Sequence, residues 1–548
     1  MLRKLSMYSR LLVVTIAAAR IHAQTDFDWQ SLPATAALSW VPCYSTLQCA
    51  QLEVPLDYTS DAGNASIAIV RLPSTSPADQ YKGPILFNPG GPGGSGVSAI
   101  VGVGQQFADF LGPEFDIVGF DPRGVANSRP AVSFFETAAE RAFWTPPDLN
   151  LRYPSYNASP AVIPNQWAQY QLIGQQAVKT DTGDWLKHIS TDNVARDMLE
   201  IVKAFGQDKL MYWGVSYGTV LGQTFATLFP DNVGRMVIDG VLDGEAWYSA
   251  NLTEAMTDTD KTLQAFYDGC VAAGPAACDF YAPTAAEIAA NLTSLVESIA
   301  AQPIPVLNNV SHGIIDFSWI RNLIFAATYS PYDSYSTFAT QLAQLAAGQP
   351  DATYAAHQSA QFECGDDNTA AGNIFESEIA TTCNDAVAVT DRIPELRAFY
   401  ENEAKLSSFA DIWAEWRVWC SGWRIHRPGR FSGPVGANTS YPLLVIGNTA
   451  DPITPLQWAR KASTLFPGSV LLTQNSPGHT SIVAASACTH GAMQAYFVNG
   501  TLPASGTVCQ VDIPLFPPRT SARSVQGKVV DQVTKIADVV LPMIRRTR

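Results

Sequence analysis

The chain has 548 residues, 47% hydrophobic and 15% charged, enough for one large core with a second domain inserted in it, and it is neither disordered nor fibrous. Its formal net charge of −15 excludes a general nucleic-acid surface, and the one basic run is the terminal Arg545-Arg546-Thr547-Arg548.

The first predicted element is a secretory signal peptide over residues 1–23. Arg3, Lys4 and Arg10 precede the apolar run from Leu11 to Ala19, and Ala23 offers a small residue for cleavage. That run is too short to span a bilayer and no later stretch is long enough, so the expectation is a secreted protein with no membrane span. The nine cysteines fit an oxidising compartment. Cys43 with Cys49, Cys270 with Cys278 and Cys488 with Cys509 are spaced as disulfides. Cys364, Cys383 and Cys420 compete for one further bridge, with Cys383–Cys420 favoured. No Cys-x-x-Cys occurs, so no zinc site is expected. Sequons at Asn64, Asn157, Asn251, Asn291, Asn309, Asn438 and Asn499 fit a glycosylated surface.

Buried-strand candidates follow in chain order: Ile85–Phe87, Ile117–Phe120, Leu210–Trp213, Met236–Ile238, Leu443–Ile446 and Val470–Leu472. Helical stretches such as Asp192–Phe205 and Leu456–Leu465 lie between them. Strands alternating with helices predict an α/β fold with a mostly parallel sheet, whose functional groups stand at the carboxyl ends of its strands. The segment 131–190, rich in Pro, Tyr and Trp, is an excursion that could line a site's mouth. From 251 to 435 the strand signal fades and Ala-rich helices such as Ala285–Ala301 and Phe338–Ala347 take over. This predicts a mainly helical cap inserted between a first core part, 24–250, and a C-terminal core part, 436–548. Val525–Met543 is predicted to be a docked terminal helix.

Four motifs carry chemistry. "GVSYG" follows the strand Leu210–Trp213 and opens a helix, the strand–turn–helix context in which Ser216 becomes an exposed nucleophile. A serine needs a base, and His479, in "GHTS" after the strand Val470–Leu472, is best placed among the seven histidines. His188, His312, His357 and His426 lie before a helix or in the cap, and His490 reads as helix packing. The base needs an orienting acid between nucleophile and base in chain order. Asp451 in "GNTADPITP" ends a strand and is stiffened by Pro452 and Pro455, with Asp239 and Asp243 as competitors. "FNPGGPGGSG", Phe87–Gly96, exposes backbone N–H groups, so the N–H of Gly91 is expected to pair with that of Tyr217 as an oxyanion hole. The glycine run lacks a P-loop's Lys-Ser/Thr ending and does not match G-x-G-x-x-G, so no nucleotide cofactor is expected. Asp121 and Arg123 in "GFDPRG" read as structural.

With these motifs the chain resembles the alpha/beta-hydrolase serine peptidases of the tripeptidyl aminopeptidase and prolyl iminopeptidase type, nearest the secreted tripeptidyl aminopeptidase-like branch. The resemblance rests on "CAQLEVPLDY", "FNPGGPGGSG", "DIVGFDPRG", "YWGVSYGTVLG", "CSGW", "GNTADPITP", "GHTS" and "NGTLPASGTVC". It implies an alpha/beta-hydrolase fold, Ser216, Asp451 and His479 as the triad, and a C-terminal segment supplying the last two. It also implies acidic groups near the cap that bind a free α-amine, for which Glu245, Glu363, Asp366 and Asp367 are candidates. The leading expectation is a serine exopeptidase releasing short N-terminal peptides. An esterase or lactonase acting on a small natural product is the second, and a non-catalytic protein on a hydrolase fold the third. The aromatics around 143–170 and 412–423 suit a peptide or a small ester substrate equally.

Overall fold

A computed structural model describes residues 27–144, 154–309, 312–357, 374–518 and 528–545. The predicted signal segment, Cys364, Glu363, Asp366 and Asp367 lie outside the described residues.

The strands are β1 (Ala34–Thr35), β2 (Val41–Cys43), β3 (Leu47–Pro55), β4 (Asn64–Leu72), β5 (Gly83–Asn88), β6 (Phe115–Phe120), β7 (Leu210–Val215), β8 (Val233–Asp239), β9 (Ile304–Leu307), β10 (His312–Ile315), β11 (Leu444–Ala450), β12 (Val470–Pro477) and β13 (Val508–Gln510). One sheet takes the order β1-β3-β4-β6-β5-β7-β8-β11-β12-β13, with β2 pairing β3 beside β1, on the edge away from β4. From β6 to β13 every pairing is parallel. β2, β3 and β4 form an antiparallel extension on β6. All six predicted strands fall in this sheet. Every residue of β5 and β6 is buried, as helices on both faces of a parallel sheet require. The antiparallel strands were not predicted; Gln48, Gln51 and Glu53 interrupt the apolar run of β3, whereas β4 carries the run Ile67–Val70.

Register aligns the functional edge. Asn88 of β5 pairs with Gly214 of β7, Val215 of β7 with Asp239 of β8, and Ile446 of β11 with Asp239. The glycine loop, the Ser216 turn, the loop after Asp239 and the Asp451 loop therefore all leave the sheet at one end.

"GFDPRG" is structural, as expected. Asp121 accepts from Ser95 Oγ, Val97 N and Asn127 N and Nδ2, which pins the end of β6 to the helix Gly96–Leu111 that follows the glycine loop. Arg123 is fully buried and forks onto Asp197 through Nε (2.8 Å) and Nη2 (2.5 Å), while Nη1 reaches Leu56 O and Nη2 reaches Pro55 O. Tyr58 donates to the same carboxylate. Asp197→Ala would leave the buried guanidinium without its counter-charge. It is expected to destabilise the fold by about 3–5 kcal/mol, read as a lowered urea midpoint.

Between β8 and β11 the chain forms mostly helices, including Thr259–Ala273, Ala285–Ala301, Phe317–Tyr329, Pro331–Ala346, Ile374–Asp385, Ile393–Glu403 and Glu415–Ser421. It also forms the small β9–β10 hairpin, which was not predicted. Thr284 and Glu287 make a capping box that starts Ala285–Ala301 as read from the sequence. This insertion rests on the functional edge, since Thr259 donates to Pro452 O and Thr262 to Ala450 O. The helix Val162–Thr180, from the 131–190 excursion, packs so closely on the insertion that a Cβ at Gly174 would lie 2.1 Å from Gly422 O. Disulfides join Cys43–Cys49, Cys270–Cys278, Cys383–Cys420 and Cys488–Cys509, as expected. The terminal helix spans Lys528–Arg545 and lies against Gly96–Leu111, where a Cβ at Gly102 would sit 2.7 Å from Val539 Cγ1. Among the described residues, no helix is long and apolar enough to cross a membrane.

Candidate active site

Ser216 sits on the turn between β7 and the helix Tyr217–Leu228 with φ 57° and ψ −126°, a conformation costly for a residue with a side chain. The flanking glycines make the turn possible. A Cβ on Gly214 would lie 2.4 Å from Gly218 O, and one on Gly218 would lie 2.8 Å from Asn88 O on β5. The turn is held by Ser216 N donating to Asp239 O (3.1 Å) and by Thr219 N and Oγ1 donating to Ser216 O. Ser216 is 6% exposed, so the hydroxyl stands in a largely enclosed place.

Asp451 and His479 meet directly. His479 Nδ1 lies 3.0 Å from both carboxylate oxygens of Asp451, and both residues are fully buried. Three main-chain donors converge on the same carboxylate, Ile453 and Thr454 on Oδ1 and Thr480 on Oδ2, each at 2.9 Å. The short turn after β11 thus holds the carboxylate as an acceptor, which sets the proton on Nδ1 and leaves the lone pair on Nε2. Nε2 is buried and accepts no hydrogen bond from the described residues, so the Ser216 hydroxyl is not bonded to it in this structure. Such bonds are often long before substrate arrives. The imidazole loop is clamped on every side. Asn448 Nδ2 donates to Gly478 O and Thr480 O, His479 N donates to Tyr329 O at 2.9 Å, and the Tyr329 ring stands edge-on to the imidazole at 5.6 Å.

The glycine loop lies against the Ser216 turn. A Cβ on Gly90 would sit 2.6 Å from Val215 O, 2.9 Å from Ser216 Cβ and 3.2 Å from Tyr217 N, so any side chain there would fill the space in front of that amide. The Gly90 N–H is spent on Asn88 Oδ1, which leaves Gly91, at φ 111°, as the next main-chain donor of the loop. Tyr217 heads its helix, where the first N–H groups have no acceptor within the helix. The Tyr217 hydroxyl is anchored 2.5 Å from Thr191 Oγ1, which with Trp247 Nε1 donates to Asp385. Burial pushes the Asp385 carboxyl up to about 7.

The competing acids have other duties. Asp243 caps the helix Gly244–Tyr248 and pairs with Lys461. Glu245, half exposed, pairs with the same Lys461 at 2.7 Å and so is no free anion for an amine. Asp239 is buried beneath the site and accepts from Ser481 N (2.8 Å) and Oγ (2.5 Å). His490 packs edge-on against Phe110, and burial pushes its imidazole down to about 4. Among the described residues no cluster of His, Cys, Asp and Glu could hold a metal ion.

A small pocket of about 20 Å³ that the sequence did not announce lies within the insertion, lined by Trp247, Trp413, Trp416, Arg417, Phe399 and Glu403. Ring contacts link it to both sides of the site: Tyr217 to Trp247 and on to Trp416, and His479 through Tyr329 and Phe325 to Trp413. Glu403 is 1% exposed, and among the described residues its Oε2 has no hydrogen-bond partner. Burial pushes its carboxyl up to about 8, against the pull of the Thr253 hydroxyl and Arg417. Nothing in "FYENEA" distinguishes Glu403 from the exposed Glu401 beside it, and only the packing does so.

Comparison with known proteins accords with this geometry. The alpha/beta hydrolase fold family matches residues 83–277, and the TAP-like protein family matches residues 405–509. The chain is 30% identical to serine protease Hip1 of Mycobacterium tuberculosis (strain ATCC 25618 / H37Rv) over 497 residues, 86% of this chain and 91% of that one. It is 28% identical to the tripeptidyl aminopeptidase of Streptomyces lividans over 512 residues, 90% and 88% of the two chains. It is 29% identical to carboxylesterase B of the same M. tuberculosis strain over 477 residues, 85% and 86% of the two chains. A glycine-flanked serine on a strained turn, at the sheet edge that carries a buried Asp–His pair, belongs with these relatives, and the chain is a serine hydrolase of the tripeptidyl aminopeptidase-like alpha/beta-hydrolase family.

Proposed function

We propose that the protein is a secreted serine exopeptidase that releases short peptides from free N-termini through Ser216, His479 and Asp451. The observation that carries this is the buried Asp451–His479 pair, whose bare Nε2 belongs to a loop bound to the strand end that also holds Ser216. His479 Nε2 would take the Ser216 proton as Oγ bonds to the acyl carbon, with the N–H groups of Gly91 and Tyr217 receiving the oxyanion. The C–N bond then breaks, His479 returns the proton to the leaving amine, and water hydrolyses the acyl-enzyme by the same route.

The preference for a free amine is assigned to Glu403. A buried carboxyl in a small pocket walled by tryptophans is costly to ionise when the neighbouring Arg417 is already paired with Asp391, and an ammonium group supplies a counter-charge in contact while the ring faces attract it. Glu403→Gln is expected to raise KM for free-amine peptides about 10–100-fold, the size of a lost charge-assisted hydrogen bond, and to leave N-blocked substrates and simple esters unchanged. Parallel kinetics on the three substrate types, with product masses read by spectrometry, check this. Turnover of esters with both peptide types untouched would move the protein to the esterase reading that its likeness to carboxylesterase B favours. Secretion is supported by the charged and apolar start of the chain and by the four disulfides.

A further inference from the structure

We propose that Asp239 is a positioning residue, whose carboxylate ties the His479 loop to the strand end that carries the Ser216 turn, and whose protonation slackens that tie. This rests on the triad assigned above.

Asp239 ends β8 between the nucleophile's strand and the acid's strand. Its main-chain oxygen accepts from Ser216 N at 3.1 Å, and its carboxylate accepts from both Ser481 N and Ser481 Oγ, two residues beyond His479. One fully buried residue thus touches the turns that present hydroxyl and imidazole. The next residue keeps the two turns close, for a Cβ on Gly240 would lie 2.6 Å from Thr480 Cγ2. Both bonds to the carboxylate come from donors, an arrangement that suits the anion. A neutral acid would have to reverse the hydroxyl bond, and neutral bonds hold about half as strongly as charge-assisted ones. The charged groups acting on Asp239 are Asp451, from the turn after β11, and His479, from the loop after β12. Burial and Asp451 push its carboxyl up to about 6, against the Ser481 bonds and His479. The anion therefore prevails above that pH and is lost below it. Being near the imidazole, the anion also favours the imidazolium that forms during acyl transfer.

Asp239→Asn is close in shape to the protonated acid. The rate of fluorophosphonate labelling of Ser216, and kcat/KM on peptides, are measured from pH 4.5 to 9 for both proteins. The expected result is a loss of about 100-fold above pH 7, carried by kcat, that shrinks towards none below about pH 5, where wild-type Asp239 is itself the neutral acid. A wild-type to variant ratio constant with pH overturns the proposal, as does an unchanged rate. A wild-type protein that does not label at all overturns the nucleophile assignment instead. Should Asp239→Asn fail to fold, Ser481→Ala decides. It removes one bond that holds the carboxyl down, so the acid fall in labelling is expected to move to higher pH, and an unmoved profile overturns the proposal.

Discussion

Replacing Ser216 by alanine is expected to lower kcat about 10⁶-fold, and His479→Ala by about as much, with the double variant no worse than either. The reason is that hydroxyl and imidazole act as one unit. Without the Nε2 lone pair the hydroxyl keeps its proton, and without the hydroxyl the lone pair has nothing to deprotonate. The turn itself should survive the serine change. The positive φ is imposed by Gly214, Gly218 and the bonds from Ser216 N to Asp239 O and from Thr219 to Ser216 O, all of which alanine keeps. Residual activity would then report the oxyanion donors and substrate positioning alone. Active-site titration checks the prediction. Either single variant retaining a hundredth of the wild-type rate would remove that residue from the mechanism.

Asp451→Asn is expected to cost about 10⁴-fold in kcat while leaving the fold in place. Three main-chain N–H groups and the imidazole Nδ1–H all aim at this side chain, so every group facing it is a donor. An amide presents only one oxygen to them. Either its NH2 faces the imidazole, which moves the ring proton to Nε2 and removes the base, or it faces the backbone donors and loosens the turn. Steady-state kinetics with a thermal melt separate lost chemistry from lost folding. A fall of less than tenfold would mean that a different carboxylate supports His479, and Asp239 would be the residue to change next.

Much of the site was legible because its pieces are local. The pattern around Ser216 specifies its own turn, since Gly214 and Gly218 are read in the sequence and their crowding by Gly218 O and Asn88 O follows from the strand–turn–helix path. Asp451 and His479 could be singled out because each follows an apolar strand, and the structure brings the two side chains within 3.0 Å. The cysteine pairs are near neighbours in the chain or, for Cys383 and Cys420, join two helices of the insertion. Of the antiparallel strands, β3 is interrupted by Gln48, Gln51 and Glu53, whereas β4 carries the buried apolar run Ile67–Val70, and no short motif marks an edge extension.

The sequence alone determined the sheet's central strands, the glycine-flanked Ser216 turn, the placing of Asp451 and His479 after two of those strands and the three short-range cysteine pairs, because continuous apolar runs, flanking glycines and fixed spacings act through residues close along the chain. Only the tertiary structure decided that Asp239 braces two loops, that Glu245 is neutralised by Lys461, and that Glu403 is a buried carboxyl among tryptophans. An acid's role is set by the donors, charges and burial that distant segments bring to it, and those have no signature at its own position.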